Sequence, residues 1–125
     1  AFEPWLDESL STYSEKLYYE NVQPLGLDWW WTYRINYYDP QGWVDGSIYN
    51  PRGYRAYRDA VYLNGAKFLE DLRRLIGDEA FFSFMGDYAI EFSQRISSAD
   101  QFFALLSKYS QEDMQPIIEQ YFENR

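Results

Sequence analysis

Apolar positions along this chain recur at helical intervals, and no stretch keeps the strict alternation of a strand. Leu6, Leu10, Tyr13 and Leu17 fall at i, i+4, i+7 and i+11, one helical face, with Pro4 just ahead where a first turn has no use for the missing N–H. The spacing predicts a helix over about residues 4–20. Glu8, Thr12, Glu15 and Tyr19 form a second stripe nearly opposite the first, open either to solvent or to a site. Asp28 is a plausible N-cap for a second helix over residues 29–38, stopped at Asp39-Pro40. Val61, Gly65, Phe68, Leu72 and Ile76 predict a third helix over about residues 58–76, with Gly77 as its stop. Asp78 is read as the cap of a fourth, which turns Phe81, Met85, Tyr88, Ala89 and Phe92 to one side. Ser98 and Gln101 suit a capping box ahead of Phe102, Phe103 and Leu106. Met114, Ile117, Ile118, Tyr121 and Phe122 mark a sixth helix, with Pro116 in its first turn. The expectation is an all-α fold of about six helices with short connections after residue 54.

One connection departs from that economy. Residues 39–54, DPQGWVDGSIYNPRGY, are punctuated by Gly and Pro and carry several aromatics. An ordered loop of that length is a candidate binding loop.

Composition narrows the chemistry more than it changes the fold. A chain of 125 residues is one domain or part of one, and buries roughly 65% of its unfolded surface. With 46% apolar and 22% aromatic residues it should build a packed core. The net charge of −9 argues against nucleic acid, which needs clustered Lys and Arg. No run approaches the ~18 apolar residues of a membrane span, and no signal-peptide pattern is present. Cys and His are both absent. The chain by itself therefore makes no disulfide, no zinc site of the usual nitrogen and sulfur type, and no Ser-His-Asp or Cys-His nucleophile. Catalysis by these residues alone rests on carboxylates, tyrosines, Lys or Arg.

Asp7, Glu8, Glu15 and Glu20 read most simply as a solvated anionic surface, able to steer basic substrates. Trp29, Trp30 and Trp31 suggest a sugar-stacking platform, but consecutive helical residues point about 100° apart, so at least one belongs to the core.

Two stretches resemble a known family. "WLDESLSTYSE" is similar to the W-L-x-E-G-x-A-x-Y-x-E segment of the M1 zinc metallopeptidases, the gluzincin aminopeptidases. "AYRDAVYLNGAKFLEDLRRLIGDEAFFSFMGDY" resembles their Y-x-K-G-A helix and its L-R-x-x-L-G-D-E-x-F sequel, in the same order and at a similar separation. The resemblance is specific over residues 5–20 and 57–92. It implies that Glu8 is the third zinc ligand, completing a site begun by two His of an H-E-x-x-H helix. It implies that Tyr62 donates to the oxyanion that develops on the attacked carbonyl. Tyr57 resembles another common family tyrosine and is assigned no role. Ser9 stands where the family has Gly after the ligand, and Asn64 where it has Lys before Gly65.

By the family's spacing the H-E-x-x-H helix falls ahead of residue 1. The resemblance thus implies that residues 1–125 are a single helical subdomain, a fragment of the C-terminal part of a thermolysin-like gluzincin catalytic domain. Zn2+ is expected in the intact protein and not in these residues alone, which are expected to be inert. Peptide substrate and the remainder of the catalytic domain are the expected partners. Self-association through the face left uncovered is a further expectation. The alternative, from a different class, is a non-catalytic helical module that binds peptide or glycan through the loop at residues 39–54.

Overall fold

The computed structural model describes residues 3–93, 95 and 97–125. Among them the chain is all-helical, with no strand. Helix α1 (Trp5–Val22) leads through a 3-10 turn, Pro24–Gly26, into α2 (Leu27–Trp29). The same helix then widens to a π-helical stretch, Trp30–Ile35, and ends in a 3-10 turn, Asn36–Tyr38. After the long loop, α3 (Tyr54–Arg58) widens into a second π-helical stretch, Asp59–Leu63, and tightens again as α4 (Asn64–Ile76). Helices α5 (Asp78–Phe92), α6 (Ala99–Leu106) and α7 (Gln115–Tyr121) complete the fold. With the continuous pieces joined, these are the six helices expected from the spacing. The third starts at Tyr54, four residues earlier than its apolar pattern indicates.

Helix boundaries follow from a few residues. Gly77, at φ 87° and ψ 160°, ends α4 and opens α5 in a conformation that L side chains rarely adopt. Because Gly77 already makes the turn, Asp78 is the first residue of α5 and not its cap. Asp28 is likewise no cap: Pro24 starts a turn that runs straight into α2, and Gly26 holds the N-cap position. Asp39 ends the second helix in the left-handed region, which Asp tolerates better than most residues. The Ser98–Gln101 capping box forms as read, and Pro116 lies in the first turn of α7.

The main core surrounds α4. Phe68, Leu69 and Leu72 are fully buried, and rings from four helices or their ends meet around them. Trp5 meets Phe102 and Phe122 edge to face at 5.0 and 5.1 Å, and Phe68 meets Phe122 at 5.0 Å. Such pairs contribute about 0.5–1.5 kcal/mol each beyond the area they bury. In α5 the buried set is Phe81, Phe84 and Tyr88, with Met85 and Phe92 half-buried. Ala89, expected on that side, is exposed. The alternative register brings Phe84 inward, where its ring meets Phe102 at 5.0 Å.

A smaller cluster joins Trp30 and Ile35 to Leu63 and Ala66. Trp30 is therefore the core member of the tryptophan triplet, while Trp29 is 55% exposed. Within the long loop, Val44 is fully buried and its N–H donates to Tyr121 O at 2.8 Å. The Asp45 carboxylate accepts from the N–H groups of Glu123 and Asn124 at 2.9 and 3.0 Å. The loop is thus pinned to the chain's end near its middle, and exposes Ile48 and Tyr49 at its tip. No helix among the described residues is long and apolar enough to cross a membrane.

Candidate functional site

Glu8 lies in the first turn of an 18-residue helix, where an acid opposes the positive end of the helix dipole. The next residue sets what it faces. Ser9 is fully buried, and its Oγ donates to the Val61 carbonyl at 2.9 Å. The space for Ser9 exists because Gly65 has no side chain: a Cβ there would stand 1.9 Å from Ser9 Oγ. Helix α1 therefore crosses the third helix with Ser9 against Val61 and Gly65. Glu8 and Tyr62, each one residue from that contact, are brought together by it.

Tyr62 sits in the wide stretch Asp59–Leu63, in which the Asn64 N–H reaches back five residues to Asp59 O. Wide turns of this kind are rare and recur at functional sites. The phenol pKa of Tyr62 is pushed well above its ordinary value, first by burial, then by a hydrogen bond to Glu8 and by that carboxylate's negative charge. It therefore stays protonated through the neutral range, as a donor must. Tyr57 is buried and its ring meets that of Tyr62 edge to face at 6.0 Å. Its pKa is raised as well, by burial, then by the Glu8 charge and by Tyr54. The Glu8 charge thus acts on two tyrosines, Tyr57 and Tyr62, of which the sequence singled out the second for a role.

The second stripe of α1 is covered only in part: Thr12 is buried and Glu8 and Tyr19 are half-buried, whereas Glu15, like Asp7, is exposed as a solvated surface requires. The Thr12 hydroxyl donates to Glu8 O at 2.9 Å. Glu15 accepts from Trp30 Nε1 at 3.3 Å and takes both sides of the Arg34 fork at 3.0 and 3.2 Å. Glu20 is held by Lys16 at 2.6 Å and by two bonds of 3.0 Å from Arg73. The buried Lys16 also pairs with Glu70 at 3.1 Å, and Arg73 reaches Asp78 at 2.9 Å. Of this network only the i, i+4 pair Lys16–Glu20 was readable from spacing. Glu70 and Arg73 lie on another helix.

Glu8 lines neither of two pockets. One open, largely apolar cleft of about 670 Å³ is lined by Glu15, Tyr18, Tyr19, Trp29, Tyr33 and Arg34, among others. A second, of about 360 Å³, lies between Glu3–Trp5 and the loop tip at Asp45–Tyr49. Asn64, where the resembled family has Lys, is mostly buried and donates from Nδ2 to Gly42 O at 3.0 Å, so it anchors the loop.

A carboxylate oxygen is an ordinary zinc ligand, and Glu8 presents one beside a protonated phenol. Among the described residues no group of three or more His, Cys, Asp or Glu gathers around a common point. Nothing among the curated proteins or the solved structures matches the chain. The model of the peptidase family M1 domain does match it, over residues 2–121, and the chain belongs to that family.

Proposed function

We propose that these residues form the helical part of a zinc-dependent M1 aminopeptidase, with Glu8 as the third zinc ligand and Tyr62 as the oxyanion donor. In this reading residues 1–125 are one subdomain of a larger catalytic domain, and peptide substrate and the rest of that domain are its partners. The observation that carries the reading is the meeting of Glu8 and Tyr62, far apart in sequence, across one buried helix crossing.

Zinc, when bound, supplies Lewis acidity and a nucleophile at neutral pH. Glu8 would hold it together with ligands from outside this sequence. Tyr62 keeps its proton because burial and the neighbouring carboxylate disfavour the phenolate. Its O–H, near the Glu8 carboxylate, would donate to the carbonyl oxygen as negative charge builds there. A donor placed in this way favours the transition state over the ground state. Tyr57, buried edge to face against Tyr62, limits the tilt of that ring.

The test uses the full-length protein. Glu8→Gln should lower zinc occupancy, whereas Tyr62→Phe should leave zinc bound and lower kcat. Full turnover by Tyr62→Phe would remove the assigned role. The 125 residues alone should bind no stoichiometric zinc and cleave no peptide. The second reading, a binding module, draws on the 360 Å³ pocket that the loop tip forms with Glu3–Trp5. Saturable binding of a peptide or glycan by a protein without peptidase activity, lost in Tyr49→Ala, would favour it.

A further inference from the structure

The crossing of α1 over the third helix is tighter than a mere packing contact. Ser9 follows Glu8 in the chain and Val61 precedes Tyr62, so the 2.9 Å bond from Ser9 Oγ to Val61 O ties together the two backbone segments that carry the pair. The bond lands inside the π-helical stretch, whose own hydrogen bonding is looser in register than that of the α-helix on either side. At its end the stretch is also held by apolar packing, Leu63 clustering with Trp30, Ile35 and Ala66. Ser9 is thus the polar half of a clamp that holds the wide turn.

The fit at this point is steric as well as polar. A Cβ on Gly65 would lie 1.9 Å from Ser9 Oγ, 2.6 Å from its Cβ and 3.3 Å from its Cα. With Ser9 in place, any side chain at residue 65 moves the hydroxyl off its bond or pushes the helices apart. The two positions form a matched pair, in which one helix carries the side chain and the other leaves the space for it.

We propose that Ser9 is a positioning residue: its hydroxyl, by holding the Val61 carbonyl within the wide turn, fixes where the Tyr62 phenol stands relative to Glu8. The consequence for catalysis rests on the peptidase reading above, while the consequence for structure does not. Ser9→Ala removes the hydroxyl and keeps the Cβ, so it deletes the bond with little change of volume. Ser9→Gly combined with Gly65→Ala moves the small side chain from one helix to the other.

The experiment measures hydrolysis of an aminoacyl 4-nitroanilide by the full-length protein, with zinc content and Tm recorded for each variant. Ser9→Ala should lower kcat by about 10- to 100-fold, the scale of a displaced catalytic group, with KM and zinc content unchanged. Gly65→Ala should lower both kcat and Tm, and adding Ser9→Gly should restore Tm while kcat stays low for want of the hydroxyl. Amide hydrogen exchange should quicken over residues 61–66 in Ser9→Ala and stay unchanged over α5 and α6. Wild-type kcat in Ser9→Ala, or a loss of activity matched by a loss of zinc, overturns the proposal. A wild type without hydrolytic activity overturns the peptidase reading instead. The positioning claim is then judged on the exchange rates and on the NMR signal of the Tyr62 ring at fixed pH, and it fails if both are the same in Ser9→Ala as in wild type.

Discussion

The seam between α1 and the third helix is built differently at its two ends. At the amino-terminal end of α1 it closes by shape: Ser9 fills the space over Gly65 and donates one neutral hydrogen bond. Further along it closes by charge. Lys16, Glu20, Glu70, Arg73 and Asp78 form one connected network, with Arg73 also stacked on Phe82 at 4.8 Å. A steric contact between a short side chain and a backbone is unforgiving at the scale of tenths of an ångström, because repulsion rises steeply. A network of long side chains keeps its bonds over larger displacements. The candidate catalytic pair sits at the end that tolerates least, where placement matters most.

The largest expected effect lies at the shape-closed end. Tyr62→Phe in the full-length protein should cost about 10²–10³-fold in kcat, the scale of one oxyanion donor, with Tm close to wild type. A Tm loss of comparable weight would make Tyr62 a core residue and blur the distinction between the ends. At the charge-closed end, Arg73→Ala should lower unfolding free energy by about 2–3 kcal/mol, because it leaves part-buried Glu20 without its bidentate partner. Urea denaturation measures the loss, and kcat should hardly change. A drop in kcat as large as that of Tyr62→Phe would show that the two ends act as one.

The pH dependence sharpens the same contrast. Hydrogen bonds from Arg73, then from Lys16, outweigh burial and hold the Glu20 pKa below its ordinary value. A depressed folded pKa means stability that is full above the unfolded value of about 4.3 and is lost as pH falls through the lower folded value. For Lys16 burial opposes the charge, but hydrogen bonds to Glu20 and Glu70 prevail and the pKa is raised. Its contribution is full below about 10.4 and is lost as pH rises through the higher folded value. Denaturation midpoints should therefore fall on the acid side below about pH 4, and Arg73→Ala should flatten that limb. An unchanged acid limb would show that the network has no part in it. The smallest effect is expected at a position remote from both ends. Ser98→Ala removes the capping box of α6 and should cost about 1 kcal/mol with no change in kcat or in the acid limb.

Much of the fold was legible along the chain. The helical spacing of Val61, Phe68 and Leu72 and the break at Gly77 mark the third helix correctly, and Ser98 with Gln101 marks the start of α6. The failures share a cause. Asp28 and Asp78 have good capping chemistry, but Gly26 and Gly77 had already turned the chain. The widening at Asp59–Leu63 leaves no trace in the apolar spacing, since Val61, Gly65 and Phe68 fit an ordinary helix equally well. The ion pairs of Glu15 and Glu20 were not readable because their partners, Arg34 and Arg73, belong to other helices. The motif around Glu8 and Tyr62 pointed to the right family, but residue types alone did not say that the two side chains meet.

Local interactions within a few residues determine where a helix starts, which side of it is apolar and where it stops, and those the sequence determined by itself. The absence of His and Cys likewise limited what this chain brings to a metal. Only the tertiary structure decided that Ser9 and Lys16 are buried and that the third helix widens beneath Ser9. The same is true of Glu8, which stands half-buried beside Tyr62. Each of these depends on how two helices far apart in sequence cross. That register is set by a contact, the Ser9 hydroxymethyl over a missing side chain at Gly65, which exists only once the two helices are packed together.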